Sequence, residues 1–600
     1  MDFKDLIKGG HAIIPYGVTS IGRYAFKNCT ELKRIDIPSS VTSIEDSAFF
    51  SCTELTSIMI PSNLTSIGES AFMACTGLTN VELPDSLTTI GDSAFSHCTG
   101  LKSIMIPGNV TSIRGWAFNE CTRLTSIQIQ NGVTSIGDYA FSHCTGLTSI
   151  KLPDSLTSIG DYAFEYCTGL TSIKLPDSLT SIGNYAFSHC TGLKSIMIPG
   201  NVTSIRGWAF NECTRLTSIQ IQNGVTSIGD YAFSHCTGLT SIKLPDSLTS
   251  IGDYAFEYCT GLTSIKLPDS LTSIGNYAFS HCTGLKSIMI PGNVTSIGER
   301  AFAGCKGLTS ILVSSSNSHY KSKGNCCIDR RFSTLIFGCS ESIIPDSVSE
   351  IGEAAFAWCD GLIGINIPNS VSYIGKNAFA RCNGLTNVKI PDGVRYIDAW
   401  AFFGCERLTN VEITNNVHYI GAKAFERCTK LASIVIPRRV QEINQETFYR
   451  CSELSNVIIP NGVTHIRGCA FSGCTELANI EIPNSVTDIE DYAFAGCIKL
   501  TSIEIPDSVT YIGDYAFKGC VGLTSIIILS NDINMGKDVL DGCTSLKDIY
   551  VNIKDPKNFV LDKVDTFNVT LHVPAELGEV YRNTRAFQSK FAQIVADVNC

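Results

Sequence analysis

A repeat of 23 residues constrains this chain more than any other feature of its 600-residue sequence. Residues 147–167 read LTSIKLPDSLTSIGDYAFEYC, and residues 170–190 repeat this stretch with only three changes. A fixed period of this size is typical of a solenoid, in which one short unit stacks on copies of itself. Because a single unit cannot bury its own apolar residues, we expect neighbouring units to share a continuous core.

Each unit is predicted to contain two short extended pieces and one helical turn. The alternation at Ile58 and Ile60 predicts a strand with one buried face, and Pro61 ends it because proline has no N–H to donate. The LTSI segment at residues 156–159 predicts a second extended piece. The DYAF segment at residues 161–164 predicts one helical turn that buries its alanine and phenylalanine.

The 27 cysteines follow the repeat and do not follow the spacing of a metal site. Thirteen run from Cys29 to Cys305 and nine from Cys359 to Cys543, each series in steps of 23 residues. One cysteine per unit at a fixed register predicts a buried ladder of small side chains with weak S–H donors. Their Cβ atoms would point in parallel, whereas a disulfide needs converging Cβ atoms. We therefore expect free thiols within the ladder.

The full pattern, LxxIxIPxxVxxIGxxAFxxC, resembles the BspA-like class of leucine-rich repeats, also called the Treponema pallidum type. The resemblance implies an α/β-type repeat solenoid that is mainly β, with 23-residue units, a parallel sheet on its concave side and short convex strands or helical turns. It also implies display at a cell surface and attachment to host proteins, matrix proteins or other cells.

Breaks in the period divide the chain into three predicted parts. Residues 1–22 are expected to form an N-terminal cap or partial repeat, residues 23–546 the solenoid, and residues 547–600 a C-terminal capping segment. Within the solenoid, residues 314–341 interrupt the period and resemble the family's projecting hairpin. Cys326 and Cys327, with Cys339 nearby, form either a redox or metal site there or the apolar filling of the hairpin.

The most variable position of the repeat lies between the two buried residues of the first strand. Its side chain points outward, so the core does not restrict it. Exposed methionine, valine and isoleucine on a flat sheet lack a structural reason, which favours recognition over simple tolerance of a solvated face. The predicted binding face, on the concave sheet, comprises Met59, Met105, Lys151, Lys174, Met197, Lys243, Lys266, Met289, Lys389, Val435 and Ile458.

Composition and motifs argue against several classes of function. The net charge of −11 and the lack of basic runs argue against binding nucleic acid, and no apolar stretch is long enough to insert into a membrane. No catalytic or cofactor motif is present, so we predict neither an enzyme nor a bound cofactor or metal. The N-terminus does not read as a secretory signal.

Two functions remain open from the sequence. The first is a monomeric, non-enzymatic, adhesin-like binding protein at the cell surface or outside the cell, which engages protein or glycan partners through its concave face. The second is an intracellular protein-interaction scaffold, favoured by the missing signal and the unpaired thiols.

Overall fold

The computed structural model describes residues 3–559, 568–584, 587 and 590–598. These residues form two compact units. Unit 1 comprises Met1–Leu308 and Ser314–Ser318, and unit 2 comprises Thr309–Val313 and His319–Cys600. The division of the chain at residues 22 and 546 stays a prediction.

The first strand of each repeat joins a parallel sheet in unit 1. Residues 23 positions apart are register partners, such as Ser149 with Ser172. The alternation of outward polar and inward apolar residues in these strands explains their burial pattern. The eleven strands are His11–Ile13, Arg34–Asp36, Ser57–Met59, Asn80–Glu82, Ser103–Ile106, Ser126–Ile129, Ser149–Lys151, Ser172–Lys174, Ser195–Ile198, Ser218–Ile221 and Ser241–Lys243. Ser287–Ile290 is a later strand of unit 1 at the same repeat position.

A second parallel sheet of unit 1 follows the proline turn of each repeat. The threonine before each strand extends the hydrogen bonding between repeats. For example, the Thr65 N–H and hydroxyl both donate to the carbonyl of Thr42, at 2.8 and 3.0 Å. The thirteen strands are Ser20–Ile21, Ser43–Ile44, Ser66–Ile67, Thr89–Ile90, Ser112–Ile113, Ser135–Ile136, Ser158–Ile159, Ser181–Ile182, Ser204–Ile205, Ser227–Ile228, Ser250–Ile251, Ser273–Ile274 and Ser296–Ile297. Both predicted extended pieces are therefore confirmed.

The third side of the repeat is built from turns, and the predicted helical turn is wrong. Tyr162 and Tyr166 adopt left-handed backbone conformations, with φ of 58° and 54°, which a right-handed helical turn excludes. The N–H groups of Tyr162, Phe164 and Tyr166 donate to carbonyls of the next repeat at 2.8–2.9 Å. These inter-repeat bonds alternate with local ones, since the N–H groups of Glu165 and Cys167 donate to the carbonyls three residues earlier at 3.1 Å. A Cβ added at Gly183 would lie 2.4 Å from the neighbouring turn, so glycine permits this close stacking.

Phenylalanine and cysteine form the core beneath the turns. In unit 1 the rings from Phe26 to Phe302 stack with centroids 5.1–5.4 Å apart. From Cys52 to Cys305 each ladder thiol donates to the carbonyl of the phenylalanine 26 residues earlier, as Cys167 does to Phe141 at 3.2 Å. The thiol therefore satisfies a buried carbonyl of the preceding repeat, and the described cysteines are all free.

Unit 2 repeats the same architecture in shorter sheets. One sheet has seven strands, Tyr320–Lys323, Cys326–Asp329, Thr334–Phe337, Glu350–Ile351, Tyr373–Ile374, Tyr396–Ile397 and Tyr419–Ile420. The next repeats place their corresponding strands in a five-stranded sheet, which consists of Glu442–Ile443, His465–Ile466, Asp488–Ile489, Tyr511–Ile512 and Asn534–Met535. Other strands of unit 2 occupy the same repeat position as the first sheet of unit 1. Ser310–Val313 is the first of them, Gly364–Asn366, Asn387–Ile390 and Asn410–Ile413 form a three-stranded sheet, and Ser433–Val435 pairs with Asn456–Ile458.

The interrupting segment forms the predicted hairpin and adds a strand to it. Cys326–Asp329 pairs antiparallel with both Tyr320–Lys323 and Thr334–Phe337. The last of these strands pairs in parallel with Glu350–Ile351. The hairpin therefore continues a sheet of unit 2, whereas the sequence predicted that it projects from the solenoid. The reason is apolar burial, since Ile328 and Leu335 join the core.

The segment after the last ladder cysteine extends a five-stranded sheet. Its strands are Ser502–Ile505, Ser525–Ile528, Asp548–Val551, Thr570–Pro574 and Gln593–Val598. The short helices of the chain are Phe3–Leu6, Pro556–Asn558, Ala575–Leu577 and Gly578–Asn583. The strand Thr570–Pro574 is followed directly by the helix Ala575–Leu577. The buried Tyr581 donates its hydroxyl to the Ile553 carbonyl at 2.8 Å, which fastens the last helix to the core.

Candidate functional site

The predicted binding residues all occupy outward positions on first-sheet strands or their register partners, and all are exposed. We call this series the first-sheet column. The structure does not gather it into one cluster. Met59, the most exposed of its methionines at 74%, lies between the register partners Asp36 and Glu82. Met105 lies beside Gln128 and receives the Gln130 amide at its sulfur, 3.3 Å away.

Two lysine pairs are the strongest charge feature of the first-sheet column in unit 1. Lys151 is the register partner of Lys174, and Lys243 is bridged in parallel to Lys266. Adjacent strands are about 4.8 Å apart, so the like charges of each pair lie close together. Among the residues that the structure describes, no carboxylate forms an ion pair with these four lysines. A shallow depression lined by Gln128, Lys151 and Asp154 flanks the first pair.

In unit 2 the first-sheet column changes character along the chain. Lys389 lies 3.8 Å from the carboxylate of its register partner Glu412, and both side chains are largely exposed. Val435 and Ile458 are register partners, with exposures of 53% and 51%. Two apolar side chains side by side on an open sheet face offer a small contact surface for another protein.

The hairpin cysteines are core residues. Cys326, Cys327 and Cys339 are all buried, and burial raises the pKa of the Cys326 thiol to about 12. A thiol of this kind is a poor nucleophile because the thiolate is the reactive form. Within the described part of the chain, no group of three or more histidine, cysteine, aspartate or glutamate side chains is placed to hold a metal ion. The geometry supports the apolar filling. Cys600 lies outside the described residues.

Four histidines of unit 1, His143, His189, His235 and His281, form ring stacks on the turn edge. His143 and His189 lie on opposite faces of Tyr166, with centroids 4.7 and 4.2 Å away. The Ser142 hydroxyl bonds to His143 Nδ1 at 2.9 Å. These contacts give His143 and His189 a structural role on the turn edge.

A second varied column, in the second sheet of unit 2, was missed by the sequence analysis. Unit 1 places serine, or threonine at Thr89, at the outward position of each second-sheet strand. Unit 2 places tyrosine there at three successive strands, and Tyr396 and Tyr419 are exposed. The signal was present in the sequence, since these residues interrupt a serine series at a fixed register.

Comparison with known proteins identifies the family. The family profile described as BspA type leucine rich repeat region (6 copies) matches residues 3–125, 116–239, 208–326, 331–455 and 441–559. No curated protein sequence matches the chain. Among the helices of the described ranges, none is long and apolar enough to cross a membrane.

Several solved structures are similar to the chain. A leucine-rich repeat protein from Eubacterium ventriosum is 27% identical, with a TM-score of 0.47, over 51% of this chain and 83% of that protein. A leucine rich cell surface protein from Faecalibacterium prausnitzii is 24% identical, with a TM-score of 0.29, over 77% and 91%. The pneumococcal vaccine antigen PcpA is 20% identical, with a TM-score of 0.30, over 71% and 89%. With the family profile covering nearly the whole array, the chain belongs to the family of BspA-type leucine-rich-repeat proteins.

Proposed function

We propose that this protein is a non-enzymatic, adhesin-like binding protein whose first-sheet column engages protein partners at a cell surface. The observation that carries this proposal is the contrast within each strand. From Ile35 onward the inward residues stay leucine, isoleucine or valine, whereas the outward residue changes between lysine, methionine, glutamine, asparagine, acidic and apolar residues. A position that varies on an invariant scaffold is available for recognition.

The lysine pairs suggest an acidic partner. Like charges on register partners repel each other modestly, and an acidic surface would relieve that repulsion. The methionines along the same column supply adaptable apolar contact. Residues 101–192 recur unchanged as residues 193–284, so both lysine pairs belong to one surface presented twice. Two copies favour avidity over a single tight contact.

The test compares two variants that change charge equally. The first-sheet variant carries Lys151→Glu, Lys174→Glu, Lys243→Glu and Lys266→Glu. The matched control carries Arg114→Glu, Arg123→Glu, Arg206→Glu and Arg215→Glu, which are exposed, lie in the same duplicated block and are outside the first-sheet column. Adhesion of protein-coated beads to matrix laid down by cultured cells is measured at several salt concentrations.

We expect the first-sheet variant to lose most adhesion and the control to keep it. Wild-type adhesion should also weaken as salt screens the lysines. Equal adhesion of both variants, with unchanged far-UV spectra, would contradict the role of the first-sheet column.

The alternative function is an intracellular scaffold, and the free, buried thiols of the described chain favour it because they suit a reducing compartment. Brief protease treatment of intact cells that express the protein separates the two. A surface protein is cleaved under these conditions, whereas a scaffold inside the cell survives until the cells are lysed.

A further inference from the structure

The second sheet of unit 2 carries an aromatic and basic surface that has no counterpart in unit 1. In unit 1 a threonine precedes each second-sheet strand and a serine begins it, as at Thr157 and Ser158, except that Thr89 takes the place of the serine once. In unit 2 two successive repeats replace this pair with arginine–tyrosine and histidine–tyrosine. We call this surface the tyrosine–arginine patch. It comprises Tyr373, Arg395, Tyr396, His418, Tyr419 and Arg439.

The backbone holds the tyrosines of the tyrosine–arginine patch in a row. Tyr396 is the register partner of both Tyr373 and Tyr419 on adjacent parallel strands. Tyr396 and Tyr419 are 50% and 43% exposed. Among the described rings, none stacks on Tyr396 or Tyr419 apart from His418, which is tilted by 31° with its centroid 6.4 Å from that of Tyr396. Aromatic ring surface therefore remains open to a ligand.

The cations of the patch are not neutralised. Arg395 donates to the Asp392 carbonyl at 2.7 Å, and Arg439 donates to His418 Nε2 at 3.2 Å. Within the described ranges no carboxylate forms an ion pair with either arginine.

Two carboxylates close to the patch in the fold, Asp398 after the Tyr396 strand and Glu442 on the next second-sheet strand, are already engaged. Asp398 accepts the Tyr373 hydroxyl, and Glu442 is bound by Arg467 at 2.9 and 3.1 Å. Two guanidinium groups thus flank a row of tyrosines without a counter-charge.

We propose that the tyrosine–arginine patch binds a linear carbohydrate that carries carboxylate or sulfate groups. The C–H faces of sugar rings pack against aromatic surface, and guanidinium forks match the geometry of such anions. Strands about 4.8 Å apart repeat the tyrosines regularly, which suits a polymer of repeating units. A single-stranded nucleic acid would also meet aromatic and basic groups. It is disfavoured because the net charge of the chain is −11.

The experiment measures binding of defined oligosaccharides to the full chain by isothermal titration calorimetry. The probes are a heparin-derived oligosaccharide, which carries sulfate and carboxylate, and an oligogalacturonate, which carries carboxylate alone. A maltose oligomer is the neutral probe, and a single-stranded DNA oligomer is the competing class. We expect one or both acidic sugars to bind in a salt-dependent manner, and the pair of them identifies which anion is preferred. The neutral sugar should bind at least about tenfold more weakly, because it forms no charge-assisted bonds.

Two double variants separate the aromatic and the charged contributions. Tyr396→Ala with Tyr419→Ala removes the open rings, and Arg395→Gln with Arg439→Gln removes the charges while keeping similar length. Each should weaken binding of the acidic sugar about tenfold or more. The matched control is Tyr511→Ala, at the same repeat position but preceded by Thr510, and it should bind like the wild type.

Several outcomes would overturn the proposal. These are no binding of either acidic sugar by the wild type, unchanged binding by both double variants, equal loss in the Tyr511→Ala control, or tighter binding of the DNA oligomer at the same residues. Far-UV spectra and melting curves establish that each variant is folded. The four-lysine variant of the first-sheet column leaves this patch intact, so the two proposals fail independently.

Discussion

Unit 1 and unit 2 have cores of the same design but differ in the surface that each core supports. In both units phenylalanines stack beneath the turns, with centroids 5.1–5.4 Å apart in unit 1 and 5.1–5.7 Å apart in unit 2. The outward position of the second sheet is serine or threonine throughout unit 1. In unit 2 it is successively Glu350, Tyr373, Tyr396, Tyr419, Glu442, His465, Asp488, Tyr511 and Asn534. The repeat therefore restricts the inward residues of the strands and leaves the outward residues free to diverge.

The two units also use aromatic residues differently. On the turn edge of unit 1 eight rings stack face to face, with centroids 4.4–5.0 Å apart, so neighbouring rings already occupy most of each other's faces. These are Trp116, Tyr139, Tyr162, Tyr185, Trp208, Tyr231, Tyr254 and Tyr277. The rings of Tyr396 and Tyr419 in unit 2 lack such partners in the described chain. The rings inside the unit 1 stack are covered on both faces, whereas Tyr396 and Tyr419 leave adjacent ring faces open to a ligand.

The largest effect should come from alkaline pH, which tests whether the cysteine ladder is equally buried in both units. Burial raises the pKa of Cys144 in unit 1 and of Cys405 in unit 2 to about 12. An unfolded cysteine has a pKa of about 8.5. The contribution of each buried thiol to the stability of the fold is therefore fully present below about pH 8.5, and it is lost as the pH rises towards about 12. Each thiol contributes up to about 1.4 kcal/mol per pH unit, and the losses add along the ladder.

Alkylation with iodoacetamide followed by mass spectrometry, with far-UV spectra in parallel, measures this effect. The fully buried ladder cysteines should stay unlabelled at pH 8 and become labelled together with loss of the folded spectrum at higher pH. The partly exposed Cys359 and Cys469 should react first among the described cysteines. Labelling of ladder cysteines one by one in a folded protein would show that the thiols ionise in place.

The next largest effect should come from truncating the phenylalanine stack in either unit. Phe164→Ala in unit 1 and Phe402→Ala in unit 2 each remove a fully buried ring that stacks on two neighbours. Each should lower the free energy of unfolding by about 3–5 kcal/mol, because burial is lost and a cavity remains. Urea unfolding followed by hydrogen exchange locates the loss. If the losses in free energy of unfolding differ between the two variants by more than about 2 kcal/mol, the two units do not have equivalent cores.

The smallest effect should come from the ion-pair network around Arg467 in unit 2. Arg467 binds Glu442 at 2.9 Å and Glu490 at 2.6 Å, whereas Arg114, at the same repeat position in unit 1, lies 3.8 Å from Asp92. Arg467→Met should cost about 1 kcal/mol at low salt, and Arg114→Met should cost close to nothing. Urea midpoints at low and high salt measure both. Equal costs would show that the divergent face of unit 2 adds no stability.

Much of the fold could be predicted from the period alone. Ile150 and Ile159 are buried strand residues as expected, and Cys167 is a buried free thiol. The left-handed turns at Tyr162 and Tyr166 could not be predicted, since tyrosine does not favour that conformation by itself. Inter-repeat hydrogen bonds stabilise it, and those bonds form only when the next repeat is in place.

The candidate sites divide in the same way. The exposure of the first-sheet column followed from strand alternation, because Lys151 and Lys174 flank buried isoleucines. The tyrosine–arginine patch did not follow, because Arg439 reaches His418 across 21 residues of sequence. The sequence allowed the hairpin cysteines to be either a redox or metal site or part of the apolar core. The structure supports the core role, because Cys326 is buried in one cluster with Ile328 and Leu335.

By itself the sequence determined the family, the repeat length, the register and the inward residues. It could do so because all four depend on a short pattern that each unit repeats. The tertiary structure decided the path of the turns, the bond from each thiol to a phenylalanine carbonyl, and which outward side chains of different repeats become neighbours. Stacking brings residues about 23 positions apart next to one another, so surfaces of this kind exist only once the repeats have packed.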